Sequence, residues 1–89
     1  MKYAWNAEKN RKLRAERGVG FEDIVSAIDQ GCVLDVIPHP NSGKYPHQLV
    51  YVVYLNDYVY LVPFVETEHG VFLKTIIPNR KAKRDYLGR

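Results

Sequence analysis

The chain reads as a single α+β domain over residues 1–89, with helices leading and an antiparallel sheet following. Three observations carry that reading. Phe21, Ile24, Val25 and Ile28 fall at offsets 0, 3, 4 and 7, the core stripe of an amphipathic helix. Two runs rich in valine and tyrosine, Gln48 to Leu55 and Tyr58 to Val65, flank Asn56-Asp57, a pair that tolerates the positive φ of a tight hairpin turn. The length of 89 residues is enough for one core and too little for two.

From the start, Lys2 to Trp5 is expected to form a short opening strand. Asn6 offers a helix N-cap and Glu8 a first-turn carboxylate, so a helix is expected to about Arg17, stopped by Gly18. Lys9, Arg11, Lys12, Arg14 and Arg17 cover most of its circumference, leaving Ala7, Leu13 and long aliphatic stems for docking. The Phe21 stripe makes the second helix, with Glu22, Asp23 and Asp29 outside it and Gly31 at its end. Val33 to Ile37 has the period of a strand, and the proline-bearing stretch from Pro38 to His47 is expected to be a loop.

In the hairpin, Leu49, Tyr51, Val53 and Leu55 share one face while Val50, Val52 and Tyr54 share the other. Neither face is polar, so both require cover. The second helix is expected over one, leaving the other, with several tyrosines, to the terminal helix or a partner. Pro63 cannot donate to a ladder and suggests a bulge or an outward-facing edge. After a turn from Glu66 to Gly70, Val71 to Ile77 is expected as one last strand, with Phe72, Lys74 and Ile76 on one side and Pro78 closing it. Four antiparallel strands result. Asn79 to Leu87 then reads as a basic terminal helix, capped by Asn79, with Ala82 and Tyr86 as its short apolar stripe.

A hydrophobic content of 46% with 26% charged residues is that of a folded domain. Cys32 stands alone, which excludes an internal disulfide and suits a reducing cytoplasm; it reads as a small apolar filler. The first twenty residues lack the apolar stretch of a secretory signal, so export is not expected. Leu49 to Val65 has the apolarity of a short membrane span, but Asn56 and Asp57 split it, and no membrane association is expected.

Charge is segregated along the chain. Residues 1–20 carry a formal +4, residues 21–73 carry −6 and residues 74–89 carry +5. If the two ends fold beside each other they form one cationic surface, suited to phosphates or an acidic protein; otherwise the runs are solvated helix faces. Lys74, Arg80, Lys81, Lys83 and Arg84 are the densest group. Guanidinium groups bind phosphate oxygens in pairs and lysines add point charges. RNA cleavage by a 2′-hydroxyl needs such cations, together with a base and an acid, and requires no metal. Arg80 or Arg84 would stabilise the charged phosphorus, and Lys74, Lys81 or Tyr86 would handle protons.

Five of the seven tyrosines lie between Tyr45 and Tyr60, where exposed rings would stack on unpaired bases, although tyrosine in strands is ordinarily half-buried core. His39, His47 and His69 are scattered over loops without metal-ligand spacing, so no metal or other cofactor is expected. His39 or His47 becomes a proton donor only if the Pro38 to His47 loop folds over the cationic face. Glu66 and Glu68 read as surface charge. A phosphate-cradling glycine loop, a nucleophile elbow and zinc-finger spacing are all missing.

Trp5-Asn6, Lys9-Asn10, Arg17-Gly18-Val19 and Phe21-Glu22 together resemble the N-terminal signature of BrnT-like toxins, and Thr75-Ile76-Ile77-Pro78-Asn79-Arg80-Lys81-Ala82 is similar to their C-terminal strand-to-helix segment. The two matches bracket nearly the whole chain. The resemblance implies a RelE-like fold, a cytoplasmic prokaryotic setting, a cognate antitoxin of ribbon-helix-helix type and growth inhibition through cleavage of mRNA. Asn6 stands where the family usually has Asp, Arg17 where His is common, and Pro78-Asn79 where a Ser-Ala pair precedes the arginine, so proton-transfer roles do not carry over. Asn41 to Gln48, with Lys44-Tyr45-Pro46, resembles a subgroup described only as toxin-like or of unknown function.

The leading expectation is therefore a toxin acting as a metal-independent ribonuclease. Arg80, Lys81 and Arg84 would hold the scissile phosphate, with Lys74 and Tyr86 as further catalytic candidates. Lys9, Arg11, Lys12, Arg14 and Lys83 would contact flanking RNA or an acidic antitoxin. The rival expectation is a basic adaptor that binds nucleic acid or a protein and cuts nothing.

Overall fold

The computed structural model describes residues 2–88; Arg89, counted in the terminal basic run, lies outside them. The elements are β1 (Tyr3–Ala4), α1 (Ala7–Arg17), α2 (Phe21–Asp29), β2 (Val33–Pro38), β3 (Leu49–Leu55), β4 (Tyr58–Thr67), β5 (Gly70–Leu73), β6 (Ile77–Pro78) and α3 (Arg80–Leu87). The strands form one mixed sheet in the order β1-β5-β4-β3-β2, with β6 also paired to β4. Among the described residues no helix is long and apolar enough to cross a membrane.

The β3–β4 hairpin organises everything else. Asn56 and Asp57 take φ values of 53° and 58°, the left-handed pair that a two-residue turn demands. The register then runs from Leu55 opposite Tyr58 to Leu49 opposite Phe64. Facing residues share a side, so Tyr51, Val53, Tyr60, Val62 and Phe64 look one way while Val50, Val52, Val59 and Leu61 look the other. The first side packs on Leu13, Phe21, Ile24 and Ala27 of α1 and α2. The second packs on Ala82 and Leu87 of α3. The result is three layers: a helix pair, the sheet, and a single short helix.

These layers correct two expectations. α1 and α3 lie on opposite faces of the sheet, so the basic ends do not merge along their lengths, although Arg17 acts on Tyr60 and the Lys83 ammonium stands 5.2 Å from the ring of neighbouring Tyr58. The tyrosines are not left chiefly to the terminal helix either: Tyr51, Tyr58 and Tyr60 pack against the core under α1 and α2. The parity imposed by the hairpin turn puts them there, Tyr60 buried and Tyr51 and Tyr58 half-buried. Tyr51 stacks on Phe64 with centroids 4.0 Å apart. Burial, reinforced by the neighbouring Tyr3, pushes its phenol up to about 12.

The sheet also departs from four antiparallel strands. β1 joins it in parallel, with Tyr3 opposite Val71 and Ala4 opposite Phe72. The expected strand from Val71 to Ile77 splits into β5 and β6, and Pro63 explains the seam. In the two-residue hairpin Pro63 occupies a non-hydrogen-bonded pair with Val50, so its nitrogen faces away from β3. That outer edge of β4 would need a donor to continue a regular ladder, and proline has none. β5 accordingly pairs with Phe64 to Thr67, whereas β6 pairs with Tyr60 and Leu61. Between them only the Pro63 carbonyl is used, accepting the Lys74 N–H at 2.8 Å. The break lets Ile76 turn into the α1–α2 core, where it is fully buried, instead of sharing a side with exposed Lys74.

Side chains of the N-terminal signature fasten α1 to α2. Trp5 stacks on Phe21 at 5.6 Å, and the Asn6 side chain caps α1 by accepting the Lys9 N–H at 2.9 Å. The Asn10 side-chain oxygen accepts the Phe21 N–H at 2.7 Å, while its amide donates to Glu22 at 2.8 Å. Arg14 bridges Glu22 at 2.8 Å and Asp23 at 3.3 Å. Gly20 lies beneath it, and a Cβ at that position would displace the guanidinium from its present place. The Asn10 amide, with backbone and Arg14 donors, holds the Glu22 carboxyl below its ordinary value; the Glu22 contact raises Arg14.

Two tests follow from this packing. Gly70 has φ 142°, and a Cβ there would collide with the Lys2 carbonyl, whose oxygen accepts the Val71 N–H. Gly70→Ala should therefore lose about 1–3 kcal/mol in denaturant unfolding, whereas Gly43→Ala, with open space around it, should be near neutral. Because Glu22 is depressed in the fold, its contribution is present above the ordinary 4.5 and lost as pH falls through the lower folded value. Melting below pH 4.5 should fall more in the wild type than in Glu22→Gln, by a small margin because the pair is half exposed.

Candidate functional site

α3 is built against the usual charge preference of helices. Asn79 caps it, accepting the Ala82 N–H at 2.7 Å. Its first turn then carries Arg80, Lys81 and Lys83 with no acid, whereas α1 begins with Glu8 and α2 with Glu22 and Asp23. Cations at the positive end of a helix oppose its dipole by about 0.3–1 kcal/mol each, and a bound anion relieves that. Arg80 and Arg84 lie one turn apart on the side turned away from buried Ala82. Neither guanidinium has a hydrogen-bond or ion-pair partner among the described residues.

The other α3 candidates are engaged. Lys81 pairs with Asp85 at 3.2 Å, and the Lys83 ammonium stands 5.2 Å from the Tyr58 ring centroid. The Tyr86 hydroxyl donates to the Asp35 carboxylate at 2.7 Å, which with partial burial raises its phenol above the ordinary value. Tyr86 thus ties α3 to β2 and is poorly placed to give up a proton.

Lys74 lies in different surroundings. It lines a groove of about 320 Å³ with His39, Tyr45 and Gln48 of the β2–β3 loop, Pro63 of β4, Thr75 of the β5–β6 connection and Ile77 of β6. The loop is held shut by its own backbone: His39 N–H donates to the Gln48 carbonyl at 3.2 Å and Tyr45 N–H to the Asn41 carbonyl at 2.9 Å. The Asn41 N–H donates to His39 Nδ1 at 3.0 Å, so the neutral ring carries its proton on Nε2. The His39 ring packs on Tyr45 with centroids 4.5 Å apart. The Lys74 ammonium sits 5.4 Å from the Phe72 ring centroid. The groove lining contains no acidic residue.

The predicted site residues therefore fall into three places. Lys74 is in the groove, Arg80 and Arg84 are on the open side of α3, and Lys9, Arg11, Lys12 and Arg14 are beyond the sheet. Of that last group Arg11 pairs with Glu8 and Arg14 with Glu22 and Asp23, while Lys9 and Lys12 are exposed. His39 shares a groove with Lys74 but with none of the α3 cations; His47 is exposed, and His69 is exposed beside Glu68 at 3.4 Å. In the sequence Tyr45 counts only as one of the clustered tyrosines and as part of the Lys44-Tyr45-Pro46 segment, and neither Gln48 nor Thr75 is singled out as a site residue. Among the described residues no His, Cys, Asp and Glu are grouped to hold a metal ion.

The Tyr86 tether is testable. Its raised phenol means the bond to Asp35 is fully present below the ordinary value of 10.0 and lost as pH rises through the higher folded one. Tyr86→Phe should melt below the wild type at pH 7, with the gap closing above pH 10. No family model, curated protein or solved structure matches the chain.

Proposed function

We propose that the chain is the toxin half of a type II toxin–antitoxin pair, of RelE-like and BrnT-like kind, and that it cleaves mRNA in the cytoplasm without a metal. The observation that carries this reading is the acid-free, cation-bearing start of α3 next in sequence to the acid-free groove containing Lys74. In the proposed reaction the 2′-oxygen attacks the adjacent phosphorus and loses its proton, the bond to the 5′-oxygen breaks, and that oxygen takes up a proton. The products are a 2′,3′-cyclic phosphate and a 5′-hydroxyl. Arg80 and Arg84 hold the phosphate and offset its growing charge, and Lys74 adds a third cation. Lys81 joins them when Asp85 releases it, and Tyr86 serves by positioning α3. Lys9 and Lys12, on the opposite layer, face an acidic antitoxin of ribbon-helix-helix type or flanking RNA.

The separation of the two basic layers also suits a second reading, an adaptor that joins nucleic acid on one side to a protein on the other without cutting. Incubation of the pure protein with single-stranded RNA in EDTA distinguishes them. New cyclic-phosphate ends support the ribonuclease; retarded but intact RNA supports the adaptor. Arg80→Ala with Arg84→Ala should abolish both cleavage and growth arrest on induction while leaving the fold intact; unchanged arrest would sink the assignment. Arg80→Glu should stabilise the fold by about 0.3–1 kcal/mol by matching the helix dipole, and should still be inactive.

A further inference from the structure

We infer that the groove between the β2–β3 loop and the β5–β6 connection is a slot for one unpaired nucleotide, with the base against Tyr45, Pro63 and Ile77 and the phosphate at Lys74. This deepens the ribonuclease reading and rests on it for the choice of RNA. A volume of about 320 Å³ is at the small end of ligand sites, enough for one ring system and its substituents. Its surface is mainly ring and aliphatic, and Ile77 remains 41% exposed, a large apolar side chain left open at the groove. Bases stack on such surfaces irrespective of sequence.

Polar groups converge at the edges. His39, Gln48, Lys74 and Thr75 all line the groove, and the Gln48 amide, the Thr75 hydroxyl, His39 Nε2 and the Lys74 ammonium have no hydrogen-bond or ion-pair partner among the described residues, the ammonium standing over the Phe72 ring. The first two supply donors and acceptors for a base edge, and His39 Nε2–H supplies a donor. Lys74 in an acid-free lining selects for a negatively charged ligand. The walls are preorganised by the His39–Gln48, Asn41–His39 and Lys74–Pro63 bonds. An apolar side chain from a protein partner would fill the floor but leave the cation and the polar edges unused.

The test is NMR titration of the full chain with a six-nucleotide single-stranded RNA carrying 2′-O-methyl groups, which cannot be cut, in EDTA. A parallel assay uses the unmodified RNA. Binding should shift the Gln48 side-chain amide, Thr75 and the His39 ring. Tyr45→Leu should weaken binding about tenfold and Tyr45→Phe should retain it. Lys74→Ala should weaken binding and reduce the logarithmic salt slope by about one. Unchanged Trp5 emission, from the far side of the sheet, certifies the fold of each variant. Shifts of the groove with uncut RNA uphold the slot and turn the wider reading toward the adaptor. Cleavage with the groove resonances unmoved overturns the slot and leaves the ribonuclease standing. Equal shifts from inorganic phosphate alone, or equal binding by Tyr45→Leu, also overturn it.

Discussion

A hairpin that is apolar on both faces cannot rest against a single layer. β3 and β4 alternate Val, Tyr, Leu and Phe without a polar side, so each face must be removed from water. α2, with its broad apolar stripe, takes one face alongside α1. The other falls to α3, which has little to offer beyond Ala82 and Leu87, and to the β2–β3 loop. Two basic segments that a linear reading would merge become the outer skins of opposite layers. The groove lies away from α3, walled by the β2–β3 loop on one side and by Lys74, Thr75 and Ile77 on the other.

What was legible in the sequence was local. The helical stripe from Phe21, the Asn6 and Asn79 caps, the Gly18 stop and the Asn56-Asp57 turn each depend on a few neighbouring residues. The structure places all of them as read. What was not legible depends on partners distant in the chain. The opening strand was expected within Lys2 to Trp5 and forms at Tyr3–Ala4, but its parallel pairing with β5 could not be read locally. The seam at 74–76 was hidden because Pro63, which causes it, lies on another strand. The candidate site divides in the same way. The cations of α3 were visible as a run, whereas the groove joins residues from the loop, β4 and the β5–β6 connection. Asn10, Trp5 and Phe21 belong to the motif that carries the family resemblance, yet their contacts are those of a helix-to-helix joint, so this part of the resemblance bears on fold.

α3 shows a conflict between local stability and placement. A helix of this size gains from acids at its start and from an apolar stripe, and α3 has neither in good measure. It is retained through the Asn79 cap, the Tyr86 bond to Asp35 and the small core around Ala82. Local rules broken in this way mark places where something other than the fold is being served. The contrast with α1 is instructive: Arg14 is absorbed in contacts with Glu22 and Asp23, while Arg80 and Arg84 remain unabsorbed.

Asp35 has a wider consequence than holding one phenol. It sits on β2, the outermost strand next to β3, where Leu34 is 39% and Val36 48% exposed. Its second carboxylate oxygen accepts the Val36 N–H at 2.8 Å. An apolar border strand with free amides is a template on which other chains can assemble, and proteins blunt such borders with charges and bulges. Here the register shift between Val33 and Asp35 supplies the bulge, and Asp35 supplies both the charge and a cap for a neighbouring amide. The same carboxylate thus joins two tasks, restraining the basic helix through Tyr86 and placing a charge on an otherwise apolar border strand.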